Sequence, residues 1–179
     1  MKKSTVSKSI LALACLASLG LSAQAQTAPA EPESTLAFNA GVVSEYRYRG
    51  ISQSRFQPAL QGGVDYAAAS GFYLGTWIST IDWIKDDGRI NNVSTGSTNV
   101  EIDLYGGYKG TTASALGYDV GLLQYYYSGN NYSAITGAAN ANTTEAYGAL
   151  TVGVVTVKYS HSLTNLFGFG NSKGSGYLD

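Results

Sequence analysis

The sequence predicts an all-β protein, an antiparallel transmembrane β-barrel whose strands follow one another up and down. Three observations support this prediction. Seven segments alternate apolar and polar residues, short turns alternate with long polar connections, and the composition favours strands, with 22 glycines and 14 tyrosines among 179 residues. Charged residues make up 13% of the chain, against about 25% in an ordinary soluble domain.

The N-terminus has the features of a Sec signal peptide. Three lysines in residues 2–8 precede a short apolar run over residues 10–21, which ends near an A-x-A cleavage pattern formed by Ala23 and Ala25. The run is shorter than the ~20 residues that a membrane-spanning helix requires. We therefore expect residues 1–25 to be a signal peptide, residues 26–35 a flexible tail, and residues 36–179 the barrel. The only cysteine, Cys15, falls within the signal.

The first four predicted strands differ in how clearly their two faces separate. Residues 36–49 carry mainly apolar and aromatic side chains at even positions, and the odd positions become polar and then charged towards the end. Residues 57–66 also alternate, and residues 99–108 do so most regularly, with aliphatic side chains opposing Asn, Glu and Asp. Residues 72–81 have apolar side chains on both faces, so the lumen-facing register of this strand stays open.

Three more strands follow at residues 117–127, 145–153 and 155–164, and an eighth begins at Gly176. Bacterial barrels have an even number of strands and normally end in a strand with a terminal aromatic residue. This sequence ends at Asp179, just as its eighth strand begins. We therefore expect it to be truncated at its C-terminus.

The connections point to an outer-membrane barrel. A closed antiparallel sheet pairs every backbone polar group in lipid, with apolar side chains outside and polar ones inside. A soluble sandwich or lipocalin-like barrel would instead turn the apolar face onto a core. The signal peptide, the low charge and the many tyrosines favour the membrane. The short connections are 67–71, 109–116 and 153–154, and the long ones are 50–56, 82–98, 128–144 and 165–175.

Two sets of side chains follow from the alternation. The first set faces the lumen, where opposed charges could form a constriction that sets ion preference or salt bridges that fill a narrow barrel. The second set forms an aromatic girdle at the membrane interface. The predicted lining residues are Glu45, Arg47, Arg49, Gln61, Asp65, Glu101, Asp103, Asp119, Glu145 and Lys158. The predicted girdle residues are Tyr46, Tyr48, Tyr66, Tyr108, Tyr118, Tyr126 and Tyr159.

Several stretches resemble one known family. FNAGVVSEYRYRGISQS at residues 38–54, PALQGGVDY and GFYLGTWIS are similar to the TorF family of porin-like proteins, and NVEIDLYGGY, TEAYGALTVG and VKYSHSL extend the resemblance over most of the chain after the signal. The most specific motif is YRYRGISQS at residues 46–54. The resemblance implies an outer-membrane β-barrel in a Gram-negative bacterium. Its partners would be outer-membrane lipid, periplasmic chaperones and the barrel-assembly machinery.

The sequence favours a channel over an enzyme. The single histidine, His161, has no carboxylate or amide placed beside it by the pattern, and no nucleophile–base pair emerges. A net charge of −1 argues against a nucleic-acid partner, and no cofactor or metal motif is complete. We expect a porin-like channel that passes ions or small polar solutes. The alternatives are a non-conducting structural or adhesive barrel acting through its surface loops, and a soluble periplasmic barrel that binds an apolar ligand; the oligomeric state stays open.

Overall fold

A computed structural model describes residues 34–179. The predicted signal peptide, its cleavage residues Ala23 and Ala25, and nearly all of the predicted tail lie outside the described residues. The strands are β1 (Ser34–Val43), β2 (Arg47–Tyr48), β3 (Ile51–Ser52), β4 (Ala59–Ala68), β5 (Phe72–Thr80), β6 (Val100–Thr111), β7 (Gly117–Tyr126), β8 (Thr143–Val152), β9 (Val155–Ser162) and β10 (Gly176–Leu178). One α-helix, α1 (Trp83–Ile90), and one 3₁₀ turn, Tyr132–Ala134, complete the described elements.

Eight of these strands form one antiparallel sheet in the order β1-β4-β5-β6-β7-β8-β9-β10, so neighbours in the chain remain neighbours in space once the β2–β3 hairpin is set aside. The prediction of an all-β antiparallel meander is confirmed. The sheet is not closed, because β1 and β10 are not paired with each other. Tight turns join the strands at one end of the sheet, and the long connections lie at the other, which we call the loop end.

Strand pairing gives the sheet two chemically different faces. The apolar face carries exposed side chains such as Leu74, Leu104 and Leu122. The polar face carries carboxylates and tyrosines, beginning with Glu101 and Asp103 on β6. We use the names apolar face and polar face for these two surfaces below.

The register of β5, which the sequence left open, is now defined. Phe72, Leu74 and Ile78 lie on the apolar face and are exposed. Tyr73 and Trp77 lie on the polar face, where Trp77 packs edge-on against the ring of Tyr46 at 5.2 Å. The ambiguity arose because the polar face of this strand uses aromatic side chains with a single polar atom instead of charges.

The first predicted strand, residues 36–49, is wrong in its second half. Strand β1 ends at Val43, and the chain then folds into the β2–β3 hairpin. Arg49 and Gly50 occupy its turn with φ of +47° and +81°, the left-handed pair that two-residue hairpin turns require. Arginine is rarely found in this conformation. The prediction missed the break at residues 44–46, because the alternation of side chains continues there although β1 has ended.

The sequence also predicted only a loop over residues 82–98, where the structure has α1. Ile84 and Gly88 are buried positions of this helix, four residues apart and therefore on one side of it. The Thr95 hydroxyl donates a hydrogen bond of 2.7 Å to the Ile84 carbonyl and fastens the following loop to the helix. Eight residues with this much charge give too weak a periodic signal to predict.

Glycine and tyrosine are abundant because they pair across strands. Gly75 faces Tyr105, and a Cβ on Gly75 would overlap the ring of that tyrosine. Gly121 faces Tyr147 in the same way, and a Cβ on Gly121 would lie 2.5 Å from the tyrosine oxygen. Each tyrosine ring therefore covers the backbone of a glycine, which has no side chain, and this arrangement stabilises glycine-containing strands.

Candidate functional site

The polar face gathers most of the charged residues predicted to line a lumen. All the predicted lining residues that belong to the eight-stranded sheet lie on this one face. Carboxylates and a lysine thus converge on one surface from five different strands. These residues are Gln61 and Asp65 on β4, Glu101 and Asp103 on β6, Asp119 on β7, Glu145 on β8 and Lys158 on β9.

Glu101 is held near the loop end by two tyrosines. Its carboxylate is almost fully buried and accepts hydrogen bonds of 2.7 Å from the hydroxyls of Tyr46 and Tyr127. Burial, together with the negative charge of Glu101, raises the pKa of both tyrosines far above the usual range. Both hydroxyls therefore stay protonated and act as donors.

Arg49 reaches from the hairpin turn onto the sheet and binds Glu145. Its Nη1 and Nη2 atoms donate hydrogen bonds of 2.9 and 2.8 Å to the two carboxylate oxygens. The guanidinium also lies over the rings of Tyr48 and Tyr177, at 4.9 and 4.2 Å. Burial is the largest single effect and lowers the pKa of Arg49, but the hydrogen bonds to Glu145 and the electrostatic attraction of Glu145 and the neighbouring tyrosines together outweigh it, so the pKa is raised. This bidentate pair ties β8 to the hairpin.

A second network lies nearer the tight turns. Tyr105 donates a hydrogen bond to Asp65, and Tyr73 donates one of 2.5 Å to Asp119. Tyr73 also shares a hydrogen bond with Tyr147, which bridges from β5 to β8 across the polar face. None of these three tyrosines is among the predicted lining residues, although each occupies the same odd-numbered face as the predicted carboxylates.

Glu45 and Arg47 behave differently from Arg49. They pair with each other at 2.9 Å, and Arg47 is largely exposed. Its guanidinium lies 5.6 Å from the centre of the Phe56 ring. The ion-pair partner of Arg47 is therefore Glu45 in its own segment and not an acid of another strand.

The predicted girdle divides into two groups. Tyr66, Tyr108, Tyr118, Tyr126 and Tyr159 lie on the apolar face. Tyr46 and Tyr48 do not. Tyr46 binds Glu101, and the Tyr48 hydroxyl lies 2.5 Å from that of Tyr125. The physical reason is again the end of β1 at Val43, after which the alternation no longer reports which face a side chain occupies.

Aromatic side chains fill the loop end of the polar face. Their hydroxyls have hydrogen-bond partners; for example, the Tyr132 hydroxyl donates a hydrogen bond of 2.6 Å to Asp87. Burial, together with this hydrogen bond, raises the pKa of Tyr132. We call this group the loop-end cluster. Its buried members are Ile81, Ile84, Tyr125, Tyr127, Tyr132 and Ala141, with Tyr46, Tyr48, Trp83, Leu123 and Phe167 among those packed against them.

Beside this cluster the polar face contains a cavity of about 450 Å³. Arg47, Arg49, Asp103 and Lys158, four of the predicted lining residues, surround it with Tyr177. Within residues 34–179, no cluster of three or more His, Cys, Asp or Glu side chains is arranged to hold a metal ion. Over the same residues, no helix combines the length and apolar character needed to cross a membrane.

Comparison with known proteins identifies a family. A family model described as a bacterial protein of unknown function (Gcw_chp) matches residues 26–179. The chain therefore belongs to this family. No curated protein and no solved structure matches the chain. The comparisons do not support the porin name that the resemblance suggested, so a transport activity does not follow from family membership.

Proposed function

We propose that this member of the Gcw_chp family is an outer-membrane β-barrel protein that gives ions or small polar solutes a narrow passage. The observation that supports it is the division of the eight-stranded sheet into an exposed apolar face and a hydrogen-bonded, charged face. Lipid favours apolar side chains outside a barrel, and a wet lumen accepts polar ones inside.

The exposed apolar surface supports the membrane part of the proposal. The exposed fractions of Leu74, Leu104 and Leu122 are 65%, 51% and 55%. Soluble monomers rarely expose continuous apolar surface of this kind, because each buried methylene is worth about 0.8 kcal/mol. In the proposal the sheet closes into a barrel, the signal peptide directs export, and periplasmic chaperones and the barrel-assembly machinery insert the protein.

The cavity on the polar face supports the proposal of a passage for ions or small solutes. Its wall combines cationic and anionic side chains, and rings of such charges set the ion preference of pores. The passage would be narrow, because tyrosines such as Tyr73 and Tyr147 reach across the polar face and meet. A barrel of about eight strands leaves little more room than its side chains fill.

A second candidate is a non-conducting barrel that acts through its surface loops. The loop-end cluster favours it, because buried aromatic side chains with satisfied hydroxyls form a packed plug over that end of the polar face. In this case Arg49 and Glu145 would hold the plug in place instead of lining an open path.

Single-channel recording separates the two candidates. The natural protein, purified from outer membranes and shown to be folded by its heat-modifiable migration, is inserted into a planar bilayer. We expect discrete current steps, and we expect replacement of Arg47 and Arg49 by Ala to change ion selectivity. Lys173→Ala, which removes a cation from an exposed position in the loop before β10, serves as the matched control. A folded protein that carries no current would overturn the channel and favour the second candidate.

A further inference from the structure

A second cavity, of about 490 Å³, lies at the loop end among three segments of the chain. Its wall is formed by the β2–β3 hairpin and the residues that follow it, by the start of α1, and by residues 166, 167 and 169 of the last long connection. It shares only Tyr48 and Arg49 with the cavity on the polar face, so the proposed passage does not account for it. Cavities of this volume hold small organic ligands.

Aromatic side chains dominate the wall of this second cavity. Five of its thirteen residues carry aromatic rings, and two more are aliphatic. The rings of Trp83 and Phe167 rest on buried tyrosines of the loop-end cluster, with centroids 5.4 and 5.0 Å apart. The rings of Phe56 and Phe169 are 68% and 64% exposed. Such a wall favours an aromatic ligand, because contacts between rings add to the burial of apolar surface.

Hydrogen bonds to the backbone fix the three segments around the cavity. The Gln53 carbonyl accepts from the backbone N–H groups of Asp82 and Trp83, at 2.8 and 3.2 Å, and so joins the start of α1 to the hairpin. The backbone N–H of Phe167 donates a hydrogen bond of 2.7 Å to the Thr143 hydroxyl. The wall is therefore formed before any ligand binds, as in most small-molecule sites.

Unusual backbone conformations are concentrated in the same wall. Among residues 34–179, seven residues other than glycine have positive φ, and four of them line this cavity. The hairpin turn accounts for Arg49, whereas Arg55, Phe56 and Phe167 have φ of +53°, +57° and +47° outside it. Bulky residues rarely adopt this conformation, and where they do they are often found at ligand-binding sites.

The charged side chains of the wall are already paired. Arg49 is bound in its ion pair on the polar face, Arg55 and Asp86 lie 3.6 Å apart, and Asp87 accepts the hydrogen bond from Tyr132. Two arginines and two aspartates leave the wall without net charge. A charged ligand would have to break one of these pairs or stay unpaired, and an unpaired charge removed from water is unfavourable.

We propose that this second cavity binds an uncharged aromatic molecule of about two fused rings. The rings of the wall would pack against the ligand, and the balanced charges at its edge would exclude anionic and cationic analogues of the same shape. This site goes beyond the proposed passage and does not depend on conduction.

The first test compares naphthylmethanol with two charged analogues, naphthoate and naphthylmethylammonium. Equilibrium dialysis against the natural protein in lipid nanodiscs measures the three affinities, and empty nanodiscs correct for partition into lipid. We expect the uncharged compound to bind at least about tenfold more tightly than either analogue, because each analogue brings an unpaired charge into the cavity. A charged analogue that binds as tightly as the alcohol would overturn the inference.

The saturated analogue, decalinylmethanol, tests the preference for aromatic rings. It is more apolar than naphthylmethanol, so a site that recognised apolar surface alone would bind it more tightly. A site lined by aromatic rings should instead prefer naphthylmethanol by about fivefold. A preference for the saturated compound would contradict the aromatic class of ligand.

Two substitutions of exposed rings locate the site. Phe169→Ser and Phe56→Asn should each weaken naphthylmethanol about fivefold, since each removes a ring from the wall. Asparagine is chosen at position 56 because it tolerates positive φ. Ile90→Ser is the matched control and should change nothing, because Ile90 is 79% exposed and lies outside the wall. Heat-modifiable migration shows that each variant is folded, and unchanged affinity in both phenylalanine variants would overturn the inference.

Conductance and binding are measured separately, so the site and the channel can fail separately. A protein that conducts but takes up no more naphthylmethanol than empty nanodiscs would contradict the site and leave the channel standing. A protein that binds naphthylmethanol through Phe56 and Phe169 but carries no current would support the site and contradict the channel.

Discussion

On one face of the sheet Leu74, Leu104 and Leu122 are exposed, whereas on the other face Glu101 and Glu145 are buried and each is bound by at least two hydrogen bonds. The strands supply both surfaces from one backbone, because successive side chains point in opposite directions. An apolar surface left uncovered and a polar surface that holds buried, hydrogen-bonded acids are the reverse of what a water-soluble sheet needs. This inversion is the basis for proposing that the apolar face meets lipid.

The largest expected effect comes from placing a charge on the apolar face. Leu104→Arg, near the middle of β6, should lower the free energy of unfolding from lipid vesicles by about 3 kcal/mol, because a cation at the bilayer midplane costs about 2–4 kcal/mol. The measurement is reversible urea unfolding in phosphatidylcholine vesicles. A soluble sheet with Leu104 facing water would lose no more than about 0.5 kcal/mol.

The matched control for that experiment is Val154→Arg. Val154 lies in the tight turn between β8 and β9 and is fully exposed. Near the membrane interface a cation costs about 1 kcal/mol or less. Equal effects of the two substitutions would contradict the proposed depth of Leu104.

A smaller effect is expected from the polar face when one partner of its best-bonded ion pair is removed. Arg49→Met should cost about 2 kcal/mol of unfolding free energy, because Glu145 then loses two charge-assisted hydrogen bonds while it stays buried. Urea unfolding in the same vesicles measures the loss.

The double variant completes this cycle. Combining Arg49→Met with Glu145→Met removes both charges, so its cost should be clearly less than the sum of the two single substitutions. Strict additivity would mean that the two side chains are not energetically coupled. It would contradict the proposal that the polar face is held together by paired charges.

The smallest effect tests the glycine–tyrosine pairs. Gly75→Ala on the polar face should cost about 1 kcal/mol, because its Cβ would meet the Tyr105 ring and the backbone or the ring must shift. Gly148→Ala on the apolar face, where the nearest atom is 3.9 Å away, is the control and should be neutral. Unfolding midpoints compare the two variants. A loss at Gly148 as large as that at Gly75 would contradict the ring-over-glycine arrangement.

Alternation was a sufficient guide wherever one face is charged and the other aliphatic. It assigned the faces of residues 99–108 correctly, since β6 opposes Ile102 and Leu104 to Glu101 and Asp103. It did not assign residues 72–81, because Tyr73 and Trp77 look apolar in sequence although their polar atoms allow them to occupy a polar face.

The candidate site was less predictable because much of it comes from loops. Arg49 reaches Glu145 because the chain leaves the sheet after Val43 and forms a hairpin with an arginine at positive φ in its turn. The alternation of side chains continues across residues 44–46 and does not signal that β1 has ended. For the same reason, Tyr46 and Tyr48 were predicted on the apolar face, whereas the structure places them on the polar face. The contacts that bring these residues to β6, β7 and β8 are separated by up to 96 residues in the chain and cannot be read from local pattern.

The most direct test of the proposed membrane orientation is a spin-label measurement on the two faces. A nitroxide attached at Leu104→Cys, in the natural protein in outer-membrane vesicles, is compared with one at Asn140→Cys in the exposed loop before β8. We predict that the label at position 104 is accessible to oxygen dissolved in lipid and protected from a water-soluble nickel complex, with the reverse at position 140. Equal access of the nickel complex to both labels would show that the apolar face meets water and would contradict the account.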